Sequence, residues 1–133
     1  MGIFDLFTKK EEIPEKDRKW NKMWDMWAAG KAASPYAQLM TYESEVNNDG
    51  HEQYFDNTAN ICDLKTEVDI ALAVLPEPLK SNLQHGYEAY LAAEETGDYE
   101  QYDAVFSGCD DVFYANEQLL IALLEEYAAT MKL

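Results

Sequence analysis

Residue types able to make or break bonds are scarce in this chain, and their spacing limits what they could do. The thiols are Cys62 and Cys109, and the imidazoles are His51 and His85. A zinc site draws its ligands from closely spaced Cys and His pairs, and a nucleophilic triad sets a Ser or Cys beside a His that a carboxylate orients. Neither cysteine has a CxxC partner or a neighbouring histidine, so both are expected to be free thiols buried in apolar helical patterns. No metal ligand, cofactor or catalytic residue is assigned, and the expectation is a protein that is not an enzyme.

Carboxylates are the abundant reactive type. Glu94 with Asp98, or Glu117 with Asp110 and Asp111 one or two turns earlier, have the chemistry of a glycosidase acid and base, which must flank a scissile bond. Ordinary helical surfaces generate such pairs freely, and no aromatic set surrounds any of these, which sets the enzymatic reading aside. Glu45, Asn47, Asp49, Gly50, Gln53 and Asp56 also fall in the register of an EF-hand calcium loop. That loop normally opens on Asp and closes on a bidentate Glu, whereas this segment opens on Glu and closes on the shorter Asp; Tyr54 and Phe55 inside it speak for packing.

The distribution of charge is more informative. The formal net charge is −16 over 133 residues. The first 31 residues are nearly balanced, with seven basic side chains against six acidic ones. From Ala32 onward twenty carboxylates face only Lys65, Lys80 and Lys132. Between Ser81 and Met131 there is no Lys or Arg at all, so Glu88, Glu94, Glu95, Asp98, Glu100, Asp103, Asp110, Asp111, Glu117, Glu125 and Glu126 have no local cation. A field of that sign attracts basic proteins and repels nucleic acid, and it exceeds what solubility alone demands.

Helices must position these groups, because strand signals are nearly absent. Trp20, Met23, Trp24 and Trp27 mark the inner stripe of a helix over about residues 15–31, with Pro14 at its start. Met26 and one Trp facing outward would instead mark a homodimer or client interface. Ser34 as N-cap and Pro35 at the first position open a second helix through Tyr36, Leu39, Met40, Glu43 and Val46, ending in the turn Asn47–Gly50. A short helical segment over residues 53–57 follows. Ile61, Leu64, Val68, Ala71, Leu72 and Leu75 mark the next helix, closed by Pro76 and Pro78. Leu79, Leu83, Tyr87, Tyr90 and Leu91 carry another to a break at Gly97. Asp98 caps a short helix with Tyr99, Tyr102, Val105 and Phe106 inside. After Ser107-Gly108 the most apolar helix runs over residues 109–131, with Val112, Phe113, Leu119, Leu120, Leu123, Leu124, Tyr127 and Met131 inward. The expected fold class is all-α: a compact irregular bundle of about six to seven helices without a sheet, one domain over residues 1–133 whose first 14 residues form a loosely attached leader. No apolar run is long enough to span a bilayer and no signal peptide is evident, so the expected location is cytoplasmic. Gly2 lacks the downstream Ser or Thr that myristoylation favours, since position 6 is Leu6.

One segment is more specific. Glu45, Asn47, Asn48, Gly50, Gln53, Tyr54, Phe55 and Asn57 resemble the signature Glu-x-Asn-Asn-Gly-Gly-Phe-x-Gln-Tyr-Phe-x-Asn of a family of small bacterial proteins known as DNA mimics. Asp110-Asp111-Val112-Phe113-Tyr114 resembles a second, weaker element, and the likeness spans about residues 36–127. This chain departs from the pattern at Asp49, usually Gly, and at His51, usually Phe, which bears on the turn geometry and one core contact. On physical grounds Asn47 and Asn48 are expected to satisfy helix-end carbonyls, Gly50 to supply a positive φ, and Gln53 and Asn57 to bond loop backbone. The resemblance implies an all-helical fold and an acidic decoy for a DNA-binding protein.

The expected function is therefore a non-enzymatic DNA mimic that occupies the nucleic-acid face of a basic partner such as a transcriptional repressor, with no nucleic acid or membrane bound directly. The expected contact residues are Glu88, Glu94, Glu95, Asp98, Glu100, Asp103, Asp110, Asp111 and Glu117. The alternative is an immunity or antitoxin-like inhibitor whose acidic face covers a cationic toxin.

Overall fold

A helix-rich chain with one strongly apolar long segment buries that segment first, and the other elements arrange around it. The computed structural model describes residues 13–133. The first twelve residues, with most of the expected leader, Lys9 and Lys10, lie outside the described residues. Five α-helices follow: α1 (Glu15–Ala28), α2 (Tyr36–Ile61), α3 (Leu64–Leu72), α4 (Leu79–Thr96) and α5 (Asp103–Ala128), with a 3-10 turn (Glu100–Tyr102) before α5. No strand occurs among the described residues, and none of their helices is long and apolar enough to cross a membrane. α5 is the hub and packs against α2, α4 and α1, while α3 fills the angle between α2 and α4.

The core is contiguous and strongly aromatic. Tyr42, Tyr54, Phe55 and Phe113 are fully buried among Leu39, Met40, Leu79, Leu83, Leu120 and Leu124. Tyr42 meets Phe113 edge-on with ring centroids 5.4 Å apart, the arrangement that opposed ring quadrupoles favour. On α1 Met23 is buried, whereas Trp20, Trp24, Met26 and Trp27 are half-buried against the core; Trp27 Nε1 donates to Thr41 Oγ1 at 3.0 Å.

The helix count is five rather than six to seven, for a different physical reason at each merged boundary. The break expected at Asn47–Gly50 is present as a kink rather than a turn: two helical arms meet at Gly50 (φ 85°, ψ 179°), which supplies the expected positive φ, and α2 resumes immediately. The Ser107-Gly108 pair stays helical inside α5, because the Tyr102, Phe106, Cys109, Phe113 and Leu120 stripe keeps its helical phase across the glycine. The stretch expected as a separate helix after Asp98 becomes the 3-10 turn and the start of α5, and Asp98 Oδ1 accepts from the Gln101 N–H at 3.3 Å.

Smaller expectations also change. Ser34 makes no cap; Ala33 and Pro35 carbonyls accept the first amides of α2, from Ala37 and Leu39. Cys62 is exposed at the end of α2, whereas Cys109 is buried, where burial pushes its thiol up to about 11. Leu91, Val112 and Leu119 face solvent. At α3 the cap is Asp63, whose Oδ2 accepts from the Thr66 N–H at 3.2 Å and from its hydroxyl, which holds the carboxyl below its ordinary range. Replacing Asp63 with Ala should lower the unfolding temperature by a few degrees at neutral pH. Because the folded-state carboxyl titrates low, that difference should vanish as pH falls through the Asp63 transition; a calorimetric series from neutral to acid checks it.

Candidate functional site

Two polar assemblies stand on α2, one buried at its bend and one exposed beyond it. At the bend Gly50 takes a backbone conformation that is nearly glycine-only, and a Cβ there would lie 2.6 Å from Asp110 Oδ2. In an unbroken helix the His51 amide would bond the carbonyl four residues back. Here it donates instead to Asp110 Oδ1 at 2.8 Å, so a carboxylate from α5 caps the second arm of α2. The His51 ring is completely buried, with Nδ1 2.6 Å from the same oxygen and Nε2 2.6 Å from the Tyr42 hydroxyl. Since Asp110 Oδ1 serves as the acceptor, Nδ1 carries a hydrogen, and Nε2 shares its bond with the Tyr42 hydroxyl. Tyr114 OH donates to the Val46 carbonyl at 3.2 Å.

The signature-like residues divide between this bend and the core. Asn47 Nδ2 donates to Glu43 Oε1 at 2.6 Å and to Glu117 Oε2 at 2.7 Å. Gln53 donates to Asn57 Oδ1 at 2.8 Å and Asn57 to Glu45 Oε2 at 2.8 Å, a side-chain relay that ties the two arms of α2 together. Gln53 and Asn57 thus bond side chains rather than loop backbone. Tyr54 and Phe55 are core residues, and Asn48 and Asp49 are exposed. His51, which departs from the signature, is the residue that Asp110 holds. The segment is helix on both sides of Gly50, which is not the shape of a calcium loop.

Beyond the bend lies the acidic end of the bundle. Glu52 and Asp56 stand one turn apart on the second arm of α2, Glu94 lies near the end of α4, and Asp103 opens α5. Glu94, Asp56 and Glu52 converge around Tyr99: its hydroxyl donates to Glu94, and the fields of Glu94, Asp56 and Glu52 help push it up to about 12, while Asp103 acts on Glu52. Tyr90 OH donates to Asp56 Oδ1 at 3.0 Å. Glu52 titrates above its ordinary range, chiefly from partial burial and then from repulsion by Asp103 and Asp56. Glu95, Asp98 and Glu100 are exposed on the same connection from α4 into α5.

None of these carboxylates is ion-paired among the described residues. The lysines of α1 meet the opposite end of α5, where Lys16 pairs with Glu125 at 2.9 Å and Lys19 donates to the Ala129 carbonyl at 3.4 Å. At 1.5 Å rise per residue, Glu125 lies about 33 Å along α5 from Asp103, several screening lengths at physiological salt. The exposed anions at the far end are left to one another.

The structure therefore brings together Glu94, Glu95, Asp98, Glu100 and Asp103 and separates the rest of the expected contact set. Asp110 is spent on His51, and Glu117 is half-buried against Asn47. Glu88 accepts from Gln84 at 3.0 Å and lines a shallow cleft with Lys80 and His85, and Asp111 is exposed two turns into α5. Sequence reasoning missed Glu52 and Asp56, although their i, i+4 spacing places both on one helix face. It also missed Glu43, whose burial only the packing of α5 reveals.

No family model, curated protein or solved structure matches the chain.

Proposed function

We propose that this protein is a non-catalytic acidic decoy that occupies the nucleic-acid-binding surface of a basic protein, a transcriptional repressor being the kind of partner that fits. The observation that carries this reading is the convergence of Glu52, Asp56 and Glu94 around Tyr99, with Asp103 beside Glu52 and Glu95, Asp98 and Glu100 continuing the set, on an end where no lysine or arginine among the described residues pairs with them. Carboxylates one helical turn apart are about 6 Å from each other along the axis. Their density can stand in for duplex phosphates, which carry about one charge per 1.7 Å. Helices hold these charges already in place, so a basic surface meets them without deforming a duplex. The signature-like residues support the reading indirectly, since Gly50, Gln53 and Asn57 set the bend that carries Glu52 and Asp56 toward α4 and α5.

The test is affinity capture from the native cell on the immobilised protein at roughly 50 mM salt, followed by challenge with duplex DNA and with raised salt. The expected result is capture of a DNA-binding protein that both treatments release. A captured basic protein that DNA cannot displace would move the reading to a toxin inhibitor, and capture of nothing basic at low salt would sink both.

A further inference from the structure

The bend of α2 holds a buried acid that the decoy reading leaves unused. Glu43 is 9% exposed and faces Glu117 across the α2–α5 contact, with the two carboxyl groups in hydrogen-bonding reach of one another. We propose that Glu43, Asn47 and Glu117 form a proton-operated latch: one shared proton holds the two carboxyl groups together beside the Gly50 bend, and its loss drives them apart and loosens the bend's hold on α5.

Asn47 is the one other hydrogen-bond donor to either carboxyl group among the described residues. The Asn47 amide nitrogen has two hydrogens but three acceptors: the Glu43 carbonyl at 3.0 Å, Glu43 Oε1 at 2.6 Å and Glu117 Oε2 at 2.7 Å. With both hydrogens committed and no other donor bonded to either carboxyl group among the described residues, two facing ionised carboxylates would repel each other, and a proton kept by one and donated to the other relieves that repulsion. Burial decides which. Glu43 is the more enclosed, and desolvation, followed by Glu117, pushes it up to about 8; Glu117, stabilised as the acceptor from Glu43, is held below its ordinary range. The pair titrates as a unit.

The surroundings supply nothing else that would absorb the charge. From α5, Glu117 faces Glu43, and two turns away Asp110 is already bonded to His51. From α2 itself the neighbour is Asn47. α3 brings its Glu67 against Gln38, and α4 its Tyr90 against Asp56; neither acts on Glu43, and no cation among the described residues does.

The latch sits beside the break in the helical ladder. The His51 amide has already left the helical ladder for Asp110, so near the bend α2 is tied to α5 by side chains: Asp110 to His51, Tyr114 to Val46 and Asn47 to Glu117. Ionising Glu43 sets like-charge repulsion beside the last of these and leaves the other two in place.

The experiment follows the carbon chemical shifts of Glu43, Asn47 and Gly50 in the full-length protein from pH 6 to pH 9.5, alongside the unfolding temperature. The wild type should show one shared transition near pH 8. A folded-state value above that of the unfolded chain means the stabilisation is complete below the ordinary glutamate range and is lost as pH rises to about 8, so the unfolding temperature should decline over that interval and then level. Glu43→Gln supplies a neutral donor of the same shape and should erase both the transition and the decline. Glu117→Gln should move the Glu43 transition at least tenfold in proton concentration toward the ordinary range. A transition that survives in Glu43→Gln, its absence from the wild type, or an unmoved midpoint in Glu117→Gln overturns the latch.

Discussion

Replacing Asp110 with Ala should be among the most damaging single changes at the surface of this protein, lowering stability by about 3 kcal/mol and the unfolding temperature by roughly 10 °C. The carboxylate accepts from both the His51 amide and the His51 ring. Its loss strands two donors, one on a ring with no solvent contact, and each stranded buried donor costs about 1–3 kcal/mol. Gly50→Ala should cost about 2–4 kcal/mol by a different route, since it forces a side chain onto a φ of 85° and drives a Cβ to 2.6 Å from the Asp110 carboxylate. The two losses should not add. Removing the Asp110 carboxylate opens the space that the alanine methyl needs, so the double variant should be more stable than the sum of the singles by about 1 kcal/mol. Denaturant unfolding of the four proteins decides the matter; strict additivity would mean that the bend and its cap are independent, against the geometry.

That coupling also explains what could and could not be read from residues alone. The helical stripes were legible wherever a long apolar face exists: Met23 on α1, Leu83 and Tyr90 on α4, and Phe113, Leu120 and Leu124 on α5 all lie inside as their spacing requires. Breaks were legible only in part. Gly50 and Gly108 look alike as local signals, yet Gly108 sits in open space within a regular helix while Gly50 takes a left-handed φ. What restarts α2 after Gly50 is Asp110, distant in sequence and indistinguishable there from its exposed neighbour Asp111. The same blindness affected the acidic set. Charge counting found the lysine-free stretch but could not tell carboxylates spent inside the fold, Asp110 and Glu117, from those left outside. Nor could it bring Glu52 and Asp56 from α2 to the end of α4, because that meeting depends on how α2 bends and packs.

Changing Glu52, Asp56, Glu94 and Asp103 together to their amides should weaken binding to the basic partner by roughly 100-fold while leaving the fold intact. The fold should survive because Asp56 and Glu94 serve as acceptors for Tyr90 and Tyr99, a role an amide oxygen retains, and because the change relieves mutual repulsion around Glu52. Exposed interfacial charges are each worth on the order of 0.5–1 kcal/mol and act mainly on the rate of encounter, so the loss should appear in the association rate and in a flattened salt dependence. A control of equal charge change, Glu88→Gln with Asp49→Asn, Asp111→Asn and Glu126→Gln, draws on exposed carboxylates outside the Tyr99 cluster. It should cost no more than a few-fold. If the control weakened association as much as the cluster variant, net charge rather than a localised face would be attracting the partner. If neither variant changed it, contact would have to lie elsewhere, and the solvent-facing Val112 and Leu119 of α5 would be the next residues to change. Surface plasmon resonance at several salt concentrations separates these outcomes, because a local face alters the salt slope of one variant alone while a diffuse field alters both alike.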